Sequence, residues 1–98
     1  MITLLLTHLR FATEVEKGKR LFEAELEING RSKDISMGKN GNIVEVEQEV
    51  TMDSLPAAVQ DALKKRAGAG TIGKIESLSK SGKLVAYEAD ARPAEAIL

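Results

Sequence analysis

The chain has 98 residues, with 43% hydrophobic and 30% charged residues, a net charge of −1, no Cys, one His and only three aromatic side chains. That is a globular composition of one small domain's length with an aliphatic core. It excludes disulfides, thiol chemistry and Cys-ligated zinc. It argues against a base-stacking or phosphate-neutralising nucleic-acid surface and against a basic membrane surface.

Met1–Leu6 is far shorter than the ~20 apolar residues of a membrane-spanning helix and has no basic flank, so neither membrane insertion nor a complete signal peptide is expected. It reads as a terminal segment of the fold or as the remnant of an upstream element. From Leu21 the pattern becomes L-F-E-A-E-L-E-I. Phe22, Ala24, Leu26 and Ile28 alternate with Glu23, Glu25 and Glu27, the period of a half-buried strand. Asn29-Gly30 and Asn40-Gly41 are both strong signals for two-residue hairpin loops. The first sets Ile28 opposite Arg31, Ala24 opposite Ile35 and Phe22 opposite Met37. The second sets Met37 opposite Val44 and Ile35 opposite Val46. Ahead of them, a turn at Gly18-Lys19 would pair Val15 with Phe22, Thr13 with Ala24 and Phe11 with Leu26. The expected unit is a four-stranded antiparallel meander within residues 7–50, with strands near 8–16, 21–28, 31–37 and 42–50.

The period changes near Asp53. Asp53 or Ser54 can cap a helix, Pro56 suits its first turn, and Gly68 suits its end. The spacing predicts a helix over 54–67 with an apolar stripe of Leu55, Val59, Ala62 and Leu63. A final hairpin over 71–91 turns at Ser81-Gly82-Lys83. Its register stays open, because Ile75 and Leu78 cannot share a face without a bulge. Arg92–Leu98, with Pro93, is expected to leave the sheet as a tail or a short helical turn.

The two ends of the chain resemble each other. Thr7, Arg10, Phe11, Thr13, Gly18 and Lys19 match Thr71, Lys74, Ile75, Ser77, Gly82 and Lys83 at a constant offset of 64 residues. Phe22-Glu23-Ala24-Glu25 then echoes Tyr87-Glu88-Ala89-Asp90. The repeating unit would be helix–strand–strand, with the first helix reduced to Met1–Leu6.

Phe22–Gly30, Gly41–Val50, Leu55–Gln60, Lys74–Glu76 and Tyr87–Ala89, in this order and spacing, resemble a PepSY-like domain of the β-lactamase-inhibitor-like group. The resemblance covers about Phe11–Ala91. It implies a single α+β domain over 1–98: an antiparallel β-meander plus a C-terminal hairpin, with one α-helix packed on one sheet face in a cystatin-related arrangement. It also implies a non-catalytic role, inhibiting or binding a peptidase or other envelope protein, in a periplasmic or secreted location. A cytoplasmic location is the alternative.

No catalytic set, cofactor site or metal site is expected. There is no G-x-S-x-G, His8 stands alone, and the adjacent Ser79 and Lys80 would point to opposite strand faces. Gly68-Ala69-Gly70 and Gly38-Lys39-Asn40-Gly41 lack phosphate-loop spacing. The candidate partner-binding residues are Glu23, Glu25, Glu27, Asp34, Glu45, Glu47 and Glu49, which parity sends to one outer sheet face. A solvated face explains them; docking of a basic protein surface is the functional alternative, and divalent-cation binding is a weaker one. One helix cannot span a six-stranded sheet, so a homodimer is expected to cover the open side, and self-assembly is the rival to partner binding. The monomeric alternative folds Met1–Leu6 and Pro93–Leu98 over it.

Overall fold

The computed structural model describes residues 6–92. The elements are β1 (Leu6–Glu16), β2 (Lys19–Ile28), β3 (Arg31–Met37), β4 (Ile43–Val50), a 3-10 turn (Met52–Ser54), α1 (Ala57–Ala67), β5 (Thr71–Lys80) and β6 (Lys83–Arg92). All six strands form one antiparallel sheet in the order β1-β2-β3-β4-β5-β6. This corrects the expected partition into a four-stranded meander plus a separate hairpin. β5 pairs with β4 from Glu45–Lys80 to Val50–Ile75, so the last two strands simply continue the sheet. The structure is 64% strand, and α1 touches β5 and β6 rather than lying across the whole face.

The turns explain where the registers fell. Asn29-Gly30 forms the expected two-residue loop with both residues at positive φ, and Ile28–Arg31, Ala24–Ile35 and Phe22–Met37 pair as expected. The first turn instead falls on Lys17-Gly18, also with both φ positive, so Glu16 faces Lys19, Thr13 faces Phe22 and Phe11 faces Ala24. The pairing is two residues from the expected one. An even shift preserves the period of two, so every side chain keeps its predicted face.

Asn40-Gly41 does not form a two-residue loop. The Gly41 N–H donates to the Gly38 carbonyl (2.9 Å), and the Gly38 N–H donates to the Asn42 carbonyl (3.0 Å). The Asn40 side chain accepts from the Asn42 N–H (3.1 Å), and Gly41 alone takes positive φ (84°). This is a three-residue loop with its last residue left-handed. It makes Met37 face Ile43 instead of Val44. A bulge beside it, between Ser36 and Met37, restores the parity, so Ile35 still faces Val46. The carbonyl of the bulged Val44 accepts from the Ser81 N–H (2.9 Å), tying the β3–β4 end to the β5–β6 turn.

α1 begins three residues later than expected. Neither Asp53 nor Ser54 caps it; the Ser54 hydroxyl donates to the Thr51 carbonyl (2.7 Å) inside the 3-10 turn. Gln60 Nε2 instead donates to the Leu55 carbonyl (2.9 Å), closing the entry to the helix. Leu55 and Ala67 are buried, Val59 and Leu63 half-buried, and Ala62 is exposed, so the stripe runs along Leu55, Val59, Leu63 and Ala67. Gly68 ends the helix at φ 57° and ψ −122°, a region open only to glycine. Gly68→Ala is expected to destabilise by ~1–2 kcal/mol in urea unfolding, with an unchanged slope.

β5–β6 carries irregularities between Ile72 and Ile75 and between Leu78 and Ser79. Ile75 pairs with Val50 and Ala89 on one face, and Leu78 with Glu47 and Ala86 on the other. Two offsets thus let both residues pack, which is why simple alternation left the register open.

The offset of 64 residues holds in three dimensions. Lys17-Gly18 (φ 51° and 76°) corresponds to Ser81-Gly82 (φ 50° and 80°). Glu16–Lys19 corresponds to Lys80–Lys83, and Val15–Arg20 to Ser79–Leu84. The copies differ in cover. Ile75, beside α1, is 5% exposed, whereas its counterpart Phe11 is 71% exposed. Leu9, Val15 and Phe22, on the Phe11 face, are open as well. The remnant helix assigned to the N-terminus lies, apart from Leu6, outside the described residues, as does the tail after Arg92. The radius of gyration is 16.2 Å, against ~13 Å for a compact domain of this length. The sheet is therefore broad and thinly covered, and no described side chain is fully buried.

Candidate functional site

The face opposite Ile35 and Phe22 is built from three rungs. The middle one runs Arg10–Glu25–Asp34–Glu47–Leu78–Ala86. On one side lies Ala12–Glu23–Ser36–Glu45–Lys80–Lys83. On the other, His8–Glu27–Ser32 continues towards Glu49–Glu76–Glu88. All seven predicted carboxylates share this face. Asp34 sits directly between Glu25 and Glu47, as the hairpin readings required.

Two acids were missed by sequence reading, Glu76 and Glu88. Both follow residues of the repeat, Ile75 and Tyr87, and their faces could not be assigned while the β5 register was open. Glu76 completes the tightest group: Asp34, Glu47 and Glu76 each bring a carboxylate oxygen within 4.8 Å of the others, and all three are half-buried. Three such oxygens fall short of the 6–8 that calcium takes.

The electrostatics follow from this crowding. Burial, then Glu25, push the Asp34 carboxyl above its ordinary value, with Lys74 pulling it back. Burial, then Glu76, Glu88, Glu45 and Asp34, raise Glu47. Burial, then Glu14, Glu25 and Asp34, raise Glu23, opposed by Arg10. Partners relieve the margins. Arg10 lies 3.6 Å from Glu25, the Thr7 hydroxyl donates to Glu27 at 2.9 Å, and the Ser32 N–H donates to Glu49 at 3.2 Å. Basic residues frame the acids at Arg10 on one edge and at Lys80 and Lys83 on the opposite corner.

A raised carboxyl value means the folded state holds the proton more tightly than the unfolded one. These groups therefore cost nothing well below the ordinary carboxylate value, and their penalty is complete once pH passes the raised one. Asp34→Asn and Glu47→Gln should thus raise the melting temperature at pH 7 and leave it nearly unchanged at pH 3. A gain independent of pH would mean that repulsion is not its source.

The face is not wholly charged. Leu21 is buried on it at 9% exposure, Ser36 at 8%, and Leu78 is half-buried. A shallow pocket of about 380 Å³ opens beside Leu21, lined also by Val44, Glu45, Lys80 and Ser81. The Ser32 hydroxyl is buried with no hydrogen-bond partner. His8 stands exposed on the edge strand opposite Glu27. Ser79 faces Val46 while its neighbour Lys80 faces Glu45, so the pair shares no face. Among the described residues, no helix is long and apolar enough to cross a membrane.

Comparison with solved structures finds a likeness for this broad six-stranded sheet with one helix over its last two strands. A crystal structure of a BLIP-like protein from Bacteroides fragilis superposes with a TM-score of 0.54 over 95% of this chain and 82% of that one, at 16% identity. The fold is BLIP-like. The superposition agrees with the β-lactamase-inhibitor-like half of the expected resemblance as a matter of fold and does not support its PepSY half. Neither a family model nor a curated protein sequence matches the chain.

Proposed function

We propose that this BLIP-like chain is a non-catalytic protein-binding module whose acidic sheet face docks a basic surface of another protein. The observation carrying this reading is the Glu25–Asp34–Glu47 rung with Glu76 beside it. Like charges set directly opposite each other destabilise a sheet, and here they are concentrated at its centre, where Lys74 only partly offsets Asp34, while Arg10, Lys80 and Lys83 sit at the margins. Charge arranged this way speeds encounter with an oppositely charged partner and rejects acidic ones. The buried Leu21 and the half-buried Leu78 add apolar contact among the carboxylates. An inhibitor of a peptidase or of another envelope protein fits the same face.

The test uses the immobilised protein and its Asp34→Asn/Glu47→Gln/Glu76→Gln variant, each presented to an extract of the source cells. A basic protein retained by the first, absent from the second and released by 0.5 M salt supports the reading. Capture that is equal on both, or indifferent to salt, overturns it.

The second reading is self-association. It rests on the apolar face of β1 and β2, where Leu9, Phe11, Val15 and Phe22 stand 41–71% exposed. Several large apolar side chains left open on one face mark an interaction surface.

A further inference from the structure

We infer that two copies of the chain join through their β1 strands, paired antiparallel across a two-fold axis at Ala12, to make one continuous twelve-stranded sheet. The inference rests on the self-association reading and adds to it the strand, the register and the pairs that fix it.

β1 is an edge strand of 11 residues, Leu6–Glu16, and it carries neither Pro nor Lys to block another strand. Its two-residue turn makes Glu16–Lys19 the closing hydrogen-bonded pair. By alternation Glu14, Ala12 and Arg10 bond to β2, and Leu9, Phe11, Thr13 and Val15 turn their backbone groups outward. Among the described residues no strand pairs with this outer side of β1, so a ladder is presented along the residues of the apolar face.

A two-fold perpendicular to the sheet keeps like faces together, so it can pass only through a residue paired with itself. Centred on Arg10, it would oppose two guanidinium groups. Centred on Phe11, it sets Arg10 against Ala12 and Leu9 against Thr13. Centred on Thr13, it sets Phe11 against Val15 but Ala12 against Glu14, and runs Leu9 off the strand onto the turn residue Lys17. Centred on Ala12, it sets Arg10 against Glu14, His8 against Glu16, Leu9 against Val15 and Phe11 against Thr13, each twice by symmetry, and keeps His8 to Glu16 paired throughout. Arg10 and Glu14 meet as opposite charges on one face and Leu9 and Val15 as aliphatic side chains on the other, all at the ~4.5–5.5 Å of directly opposed strand residues. Exposed Leu9 and Val15 gain neighbours, and two apolar ribbons merge into one. The other edge offers no equivalent. β6 is broken by the register shift at Leu78/Ser79, where its own partners jump from Ala86 to Leu84, so it presents no regular ladder along its length.

Sedimentation equilibrium of the whole chain at micromolar to submillimolar concentration reads the mass directly. A species of twice 10.6 kDa is expected, and a monomer across the range overturns the inference together with the self-association reading. Three variants then test the edge. Arg10→Glu should weaken the dimer about tenfold, since it turns two attractions into repulsions. Arg10→Glu/Glu14→Arg should restore it, although that double change does not restore the internal Arg10–Glu25 pair. Thr13→Pro should abolish it, because proline removes an outward N–H that β2 does not use. A dimer indifferent to all three overturns the β1 pairing while leaving self-association in place. Circular dichroism melts of each variant confirm that the chain itself stays folded.

Discussion

Ile75→Ala should lower stability by ~2–4 kcal/mol, whereas Phe11→Ala, at the corresponding position of the other copy of the repeat, should cost less than ~0.5 kcal/mol in the monomer. The side chains are of comparable apolar bulk and sit at equivalent points of equivalent hairpins. Only the cover differs: Ile75 is 5% exposed on β5, against which α1 packs, and Phe11 is 71% exposed. Truncating a buried aliphatic side chain loses its transfer energy and leaves a cavity that neighbours fill only in part. Truncating an exposed one loses little of either. Chemical denaturation at low protein concentration measures both. Equal losses would mean that Phe11 is covered in solution, and the loss at Phe11 growing with concentration would locate that cover in a second copy.

The Asp34→Asn/Glu47→Gln/Glu76→Gln variant should melt higher than the parent at pH 7 and low salt. It relieves the direct oppositions Glu25–Asp34, Asp34–Glu47, Glu49–Glu76 and Glu76–Glu88, along with the diagonal approach of Glu47 to Glu76. At a few tenths of a kcal/mol for each, the gain is ~1–2 kcal/mol, or ~5–10 °C for a domain of this size. Raising the salt to 0.5 M should remove most of the difference, since these groups are only half-buried. Glu27 and Glu49 are left untouched because each accepts a hydrogen bond that its amide analogue would weaken. An unchanged melting temperature would show that the carboxylates are neutralised by something other than each other. A variant that is more stable but no longer captures its partner would separate what this face does for folding from what it does for binding.

Much of the sheet was legible because period-two patterning is insensitive to small errors in pairing. The first hairpin was displaced by two residues and still delivered Phe11, Thr13 and Val15 to the correct face. The third was saved by compensation: a three-residue loop would have inverted β4, and the bulge at Val44 cancelled it. Asn-Gly alone does not distinguish these turns, because the outcome depends on whether the asparagine backbone takes positive φ or its side chain receives the Asn42 N–H. The acidic face was recognisable on β2, β3 and β4, where glutamates alternate cleanly. It was truncated at β5 because Ile75 and Leu78 break alternation, and that concealed Glu76, the residue that closes the tightest carboxylate group. The helix start was misplaced for a local reason. Asp53 and Ser54 have capping chemistry, but the chain spends them in a 3-10 turn ahead of Pro56.

The strand order β1 to β6 has a consequence for how the chain acquires its structure. Every sheet contact is made with the preceding or the following strand, and only the β4–β5 pairing, with the 3-10 turn and α1 between Val50 and Thr71, has to close a long connection. During synthesis, β1 to β4 can zip in order as they leave the ribosome, before α1 or β5 exists. The last hairpin and its helix then add to a preformed edge at β4. Refolding should accordingly be fast for an all-antiparallel sheet. Ile75 should show low kinetic φ-values and Ala24 high ones, the mark of a structure that grows from one end.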